Sequence, residues 1–241
     1  MDNHRPTWAE IDLAAIKRNL AEIKQAAGHA RIMAMVKANA YGHGMLEVSR
    51  ICYQEKVDFF GVASLDEALT LKQEIFDIPI LVLGYIPLSD AITVVAEDIR
   101  PCIFTMESAQ VMSRAAVQLN RPAHLHIKLD TGMGRIGFLP DDNSLNLLQE
   151  IAALPGVKIE GIFTHLAEAD IEDSSFTREQ INTFKRFIKK LEERGINIPL
   201  KHCSNSAALI NFPEAHFDMV RAGILLYGLF PSPQTKLRKI D

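Results

Sequence analysis

Residues 32–44 read I-M-A-M-V-K-A-N-A-Y-G-H-G. Residues 32–36 are apolar without interruption, the pattern of a short strand buried on both faces. Lys37 follows where such a strand ends, so a cation is delivered to the rim of a core. Gly42 and Gly44 then give the backbone freedom for a loop that passes close to a ligand, before a helical pattern resumes near Leu46. An amine does chemistry at neutral pH only if apolar surroundings or a neighbouring cation pull its pKa down from about 10.4. Spacing alone leaves open a plainer role, a solvated lysine guarding the end of a hydrophobic strand.

The same unit recurs outward from this stretch. Upstream, residues 7–13 are strand-like, and Ile16, Leu20 and Ile23 then repeat at helical spacing behind Asp12, a good N-cap. Downstream, strands are expected at 59–63, 79–83, 101–104, 123–129, 158–164, 199–203 and 217–220. Helices alternate with them at 44–54, at 65–71 behind the cap Ser64, at 89–96, at 106–119 behind Thr105, at 145–154 and at 176–193, the last ended by Gly195. Strict alternation requires parallel strands with crossover helices. About eight units in 241 residues favour a closed (β/α)8 TIM barrel over an open sheet, and no glycine-rich dinucleotide fingerprint argues for the latter. In such a barrel the carboxy-terminal strand ends share one face, so Lys37, Arg135, His165, Asn205, Ser206 and Arg221 are expected at one mouth.

Composition narrows the partners. A net charge of −4, with 26 Lys and Arg spread along the chain, leaves no basic face for nucleic acid. No apolar run approaches the roughly 18 residues that cross a bilayer. The amino terminus carries no basic segment followed by an apolar core, so a soluble, cytoplasmic protein without a membrane partner is expected. Cys52, Cys102 and Cys203 are too few and too scattered for a disulfide framework or a zinc site, and we expect no metal.

The segment V-K-A-N-A-Y-G-H-G resembles the part of the alanine racemase family that carries the lysine bound to pyridoxal 5'-phosphate. Four later stretches extend the resemblance in order: K-L-D-T-G-M-G-R-I-G (128–137), T-H-L-A-E-A-D (164–170), H-C-S-N-S-A-A (202–208) and R-A-G-I-L-L-Y-G (221–228). The match runs from about Thr7 to about Pro233. It implies a pyridoxal phosphate-dependent isomerase that interconverts L- and D-alanine, supplies D-alanine for the cell wall and works as a homodimer.

The resemblance also assigns roles. Lys37 would form the Schiff base and be one of two bases moving the Cα proton, with the cofactor as electron sink. Tyr41 would reach the cofactor phosphate, and Ser206 would donate its hydroxyl to it. Asn205, Gly223 and Ile224 lie where unpaired backbone N–H groups favour a phosphate. Arg135, delivered by a tight glycine loop, would sit near the cofactor phenolic oxygen and the substrate carboxylate. His165 would support Arg221, whose guanidinium would face the pyridine nitrogen. Leu83 is a candidate for apolar packing on the ring. Lys128 matches a lysine often found as a carbamate that would hold Arg135 in place.

Full-length members of that family continue into a β-rich carboxy-terminal domain that supplies the second base, a tyrosine, and none of Tyr41, Tyr53, Tyr85 or Tyr227 matches it. We therefore expect residues 1–13 to be a strand of that other domain, 14–230 the barrel, and 231–241 the start of a linker, with the piece alone poorly active. Three alternatives stand beside this reading. One is a non-catalytic barrel of the cofactor-homeostasis type, favoured slightly by length. Another is a barrel decarboxylase of basic amino acids, which would normally place an acidic residue where Arg221 stands. The third is a non-enzymatic interaction module.

Overall fold

The computed structural model describes residues 7–74 and 77–233. Eight parallel strands, β1 (Arg31–Met35), β2 (Phe59–Val62), β3 (Ile80–Val82), β4 (Arg100–Ile103), β5 (Ala123–Lys128), β6 (Val157–Phe163), β7 (Leu200–His202) and β8 (Met219–Ala222), follow the order β7-β6-β5-β4-β3-β2-β1-β8. Helices between them cover the outside. The remaining seam is closed from β8 to β7: the Asp218 amide donates to the Lys201 carbonyl (3.0 Å) and the Arg221 amide to the Ser204 carbonyl (3.1 Å). The result is the expected (β/α)8 barrel.

Local chemistry explains the elements. Asp12, Ser64, Thr105 and Asp141 each accept a backbone N–H three residues on and so start the helices Leu13–Ala27, Leu65–Lys72, Met106–Leu119 and Asp142–Ala152. The first of these buries Ile16, Leu20, Ile23 and Ala27 against the barrel wall. Two buried clusters result. The large one lies between strands and helices, and a small one of Met33, Met35, Phe59, Leu81, Leu200 and Met219 fills part of the barrel interior. No described helix is long and apolar enough to cross a membrane.

Two expectations change. Residues 7–12 form no strand and Leu13 already opens a helix; Trp8 is 71% exposed. The reason is pairing: a strand needs a neighbour for its backbone groups, and none of the described strands offers 7–13 one. The loop after Lys37 is also not a plain loop. Ala38, Asn39, Ala40 and Tyr41 all take left-handed dihedrals, with φ of 51°, 53°, 54° and 53°, and wind one left-handed turn. Residues 234–241, most of the expected linker, lie outside the described residues.

Candidate active site

A cavity of about 320 Å³ opens at the carboxy-terminal ends of the strands. It is lined by Lys37, Tyr41, Leu83, Arg135, His165, Asn205, Ser206, Arg221, Gly223 and Ile224, and further by Met35, Asp170, Ala207 and Pro231. Ten of the eleven residues singled out from sequence thus converge from six strand ends, as a barrel mouth dictates. Lys128 does not line it; its side chain lies within the barrel, 3% exposed.

Lys37 sits on the strained turn. Left-handed dihedrals cost an L-residue about 1–2 kcal/mol each, so four in a row need support from outside the turn. Glu67 provides part of it: its carboxylate accepts the Ala38 amide (2.6 Å) and the Ala63 amide (2.8 Å), tying the turn to β2. Asn39 accepts the Met45 amide (2.9 Å), and the Tyr227 hydroxyl donates to the Met35 carbonyl (2.7 Å) while its ring packs on Tyr41 and His43. Burial, then the charges of Arg135 and Arg221, lower the pKa of Lys37; Glu67 opposes them. The free amine is made accessible, as chemistry at this position requires.

The opposite wall is a cradle. The Ser206 hydroxyl oxygen accepts the Gly223 amide (3.0 Å) and the Leu225 amide (3.4 Å), which leaves its own hydrogen to donate elsewhere. A Cβ on residue 223 would stand 3.3 Å from both the Ser206 and Tyr41 hydroxyl oxygens, so two hydroxyls meet over one bare backbone. Asn205 opens the helix Ser206–Asn211: its side-chain oxygen caps that helix by accepting the Ala208 amide (2.9 Å), and its side-chain N–H donates to the Leu166 carbonyl (3.2 Å).

Arg135 is carried by the loop after β5, where the Asp130 carboxylate gathers the amides of Gly132, Gly134 and Arg135 at 3.0–3.1 Å. A Cβ on Gly137 would strike the Asp130 nitrogen at 2.5 Å, so the loop closes only with glycine there. Arg221 is 4% exposed and is no surface salt bridge. Its guanidinium donates to the carbonyls of Thr164, His202 and Cys203 and to the rings of His202 (3.0 Å) and His165 (3.3 Å). Burial and then the Arg221 charge hold His165 down at about 2, so its ring is neutral and accepts.

Lys128 Nζ has no hydrogen-bond partner and stands 5.0 Å from the centroid of the Phe163 ring. Burial first, and the Arg221 charge second, pull its pKa to about 7. Sequence reading missed the supporting layer of Glu67, Tyr227, His126, Glu160 and His202. One signal was present: His124, His126 and Lys128 alternate along β5, which points a polar row into the barrel.

Comparison with known proteins agrees with this geometry. The family model described as alanine racemase, N-terminal domain, matches residues 11–231. The alanine racemase of Methanococcus maripaludis is 45% identical over 237 residues, 98% of this chain and 64% of that protein. That of Clostridium perfringens is 44% identical, over 96% of this chain and 60% of its own length. Among solved structures, alanine racemase of Clostridium difficile 630 in complex with cycloserine superimposes with a TM-score of 0.94 at 40% identity, over 97% of this chain and 64% of that one. The Bacillus anthracis alanine racemase with bound L-Ala-P gives 0.92 at 35% identity, over 98% and 61%. The chain thus spans somewhat less than two thirds of these relatives' length. A lysine, two arginines and a hydroxyl cradle at one barrel mouth, together with a family match over nearly the whole chain, lead to one conclusion: this chain belongs to the alanine racemase family.

Proposed function

We propose that this chain is the pyridoxal 5'-phosphate-binding barrel of an enzyme that interconverts L- and D-alanine. The observation that carries the reading is the pairing, across one cavity, of a lysine amine with a lowered pKa and a hydroxyl-lined phosphate cradle. The residues fit the cofactor: three cations line the cavity against one carboxylate, Asp170, which suits an anionic ligand. When bound, the cofactor supplies an aldehyde for an amine and a ring that takes up the electron pair released at Cα.

The chain's own groups do the rest. Ser206, Tyr41 and the backbone at Gly223 and Ile224 would hold the phosphate, and Leu83 would pack beside the ring. Arg221 is a permanent cation, so toward a bound ring nitrogen it would donate without giving up its proton and would restrain side reactions such as transamination. Arg135 orients the substrate carboxylate, and His165 holds Arg221. Lys37, as the neutral amine, accepts the Cα proton on one face of the substrate. Lys128, buried and without a partner, fits a carbamate made from CO₂, an anion placed between the charges of Arg135 and Arg221.

For the whole protein we propose a homodimer, with the length beyond this chain supplying the second proton donor on the other face. We further propose cytoplasmic residence and alanine as substrate. Cycloserine and L-Ala-P in the related structures are compatible with a small amino acid at this mouth. The test is incubation with pyridoxal phosphate and L-alanine in deuterated water, followed by mass and chiral analysis. Deuterium at Cα with slow inversion is expected of the 241 residues alone. No cofactor absorbance and no exchange would refute the reading, and cofactor absorbance without exchange would favour the homeostasis barrel.

A further inference from the structure

The β4–β8 side of the barrel interior holds polar groups in single file. Arg221 Nη1 donates to His202 Nδ1 (3.0 Å), His202 Nε2 lies 3.1 Å from His126 Nδ1, and His126 Nε2 lies 3.1 Å from Glu160 Oε2. Glu160 is held in turn by Arg100, at 3.0 and 3.3 Å. The proton positions are not a free choice. A guanidinium N–H can only donate and an ionised carboxylate can only accept. His202 Nδ1 must therefore carry a lone pair, its hydrogen sits on Nε2 and points at His126 Nδ1, and the His126 hydrogen sits on Nε2 and points at Glu160. Protonating either ring would set two N–H groups face to face. All three bonds run one way, from the mouth toward the carboxylate.

The backbone is adapted to this row. Between β5 and β6 the register passes from Leu125↔Ile159 to His126↔Gly161, so Glu160 is the extra residue of a bulge, and its side chain meets the inward-facing Arg100 and His126. A Cβ on Gly161 would stand 2.4 Å from the His126 ring, so glycine clears its place. Arg221 itself has only neutral acceptors, three carbonyls and two imidazoles.

We infer that Glu160 is a positioning residue for Arg221: through His126 and His202 it fixes both tautomers, strengthens His202 Nδ1 as an acceptor and so holds the guanidinium plane toward the cavity. A carboxylate in direct contact would neutralise the guanidinium charge that the cavity needs. Linked hydrogen bonds strengthen one another in a low-dielectric interior, so two neutral rings pass the polarisation, and with Nη1 and Nη2 engaged it is the Arg221 Nε–H that stays for the cavity. The inference deepens the proposed role of Arg221 and rests on that role for its cofactor readout alone.

The test is long-range proton–nitrogen NMR of the histidine-labelled chain without cofactor, together with titration by pyridoxal phosphate. In the wild type, His126 and His202 are both expected neutral with the hydrogen on Nε2 between pH of about 6 and 8. A hydrogen on Nδ1 of either ring, or an imidazolium, overturns the inference whether or not any variant folds. In Glu160→Gln, the Nε2 proton of His202, two rings from the substitution, is expected to move upfield with that of His126. Pyridoxal phosphate should then bind about five- to tenfold more weakly, the worth of roughly one hydrogen bond. A change confined to His126, with affinity unaltered, overturns it.

Arg100→Lys keeps the carboxylate and is expected to leave the His202 signal and the affinity unchanged. If it reproduces Glu160→Gln, packing of the ion pair is responsible and the inference fails. Wild type that binds no cofactor refutes the proposed function, while the histidine signals still decide the relay.

Discussion

The mouth and the floor of this barrel treat buried charge in opposite ways. At the floor, Arg100 meets Glu160 and Asp98 within 3.0 Å, and Asp98 also meets His124. At the mouth, none of the ion pairs among the described residues includes Lys37, Lys128, Arg135 or Arg221. Lys128 and Arg221 are buried, and buried cations without counter-ions are costly, so an isolated protein gains nothing from them. The difference teaches that the floor pairs its charges within the protein, while the mouth keeps its cations for an anion brought from outside. Neutralising a buried charge should therefore have opposite signs at the two ends.

The largest effect is expected at Lys37. Lys37→Ala should abolish the absorbance of bound pyridoxal phosphate and reduce Cα exchange by about 10³-fold or more, since no other group here combines an accessible amine with that position. Stopped-flow spectroscopy and deuterium exchange check it. A variant that keeps the band would move the chemistry elsewhere and end the comparison.

Lys128→Met should stabilise the cofactor-free chain by about 3–5 kcal/mol below neutral pH. The sign follows from the pKa: the folded chain holds Lys128 at about 7 and the unfolded chain near 10.5, so folding weakens as pH falls between those values and levels off below. The gain on substitution should accordingly fade from about pH 7 upward. Denaturant melts across that range measure it. Dissolved ¹³CO₂ should also give a carbamate carbonyl signal in the wild type and none in the variant.

At the floor the sign reverses. Burial alone would raise the Glu160 carboxyl, but the hydrogen bonds of His126 and Arg100 outweigh it and bring it down to about 2. Its stabilisation is present above about pH 4.5 and is lost as pH falls through about 2. Glu160→Gln should cost about 3 kcal/mol at neutral pH and progressively less in acid, read from the same melts. If Glu160→Gln stabilised the chain as Lys128→Met does, the contrast between the two ends would be false.

The smallest effect sharpens the picture of the mouth. Glu67→Ala frees the Ala38 and Ala63 amides and should cost about 1 kcal/mol. Because Glu67 opposes the lowering of the Lys37 pKa, its loss should extend aldehyde condensation to lower pH even as the turn loosens. A pH series of cofactor binding separates the two consequences.

Much of this was legible in the chain. The N-caps Asp12, Ser64 and Thr105 declare themselves, because a short oxygen-bearing side chain before an apolar period satisfies the first free amides wherever the helix ends up. Strand boundaries were misplaced by a residue or two, as with 217–220 against Met219–Ala222, since pairing partners set strand ends and sequence does not show them. Nine of the ten cavity residues were named through family motifs and Leu83 from its place at a strand end, and the fold brought all ten together. The left-handed turn was not legible: Ala38, Asn39, Ala40 and Tyr41 carry no glycine to announce it, and it stands because distant Glu67 and Tyr227 hold its surroundings.

The amino-acid order by itself determined the alternation of apolar strands and capped helices, hence a parallel barrel, and the identity of a lysine, two arginines and a serine at strand ends. Those are local matters of period, cap and side-chain type. Only the tertiary structure decided which charges would go unpaired at the mouth, that residue 160 would turn inward on a bulge, and that two histidines far apart in sequence would join it to Arg221. Desolvation and hydrogen-bond direction depend on what stands within about 3 Å, and that is settled only when the ring of strands closes.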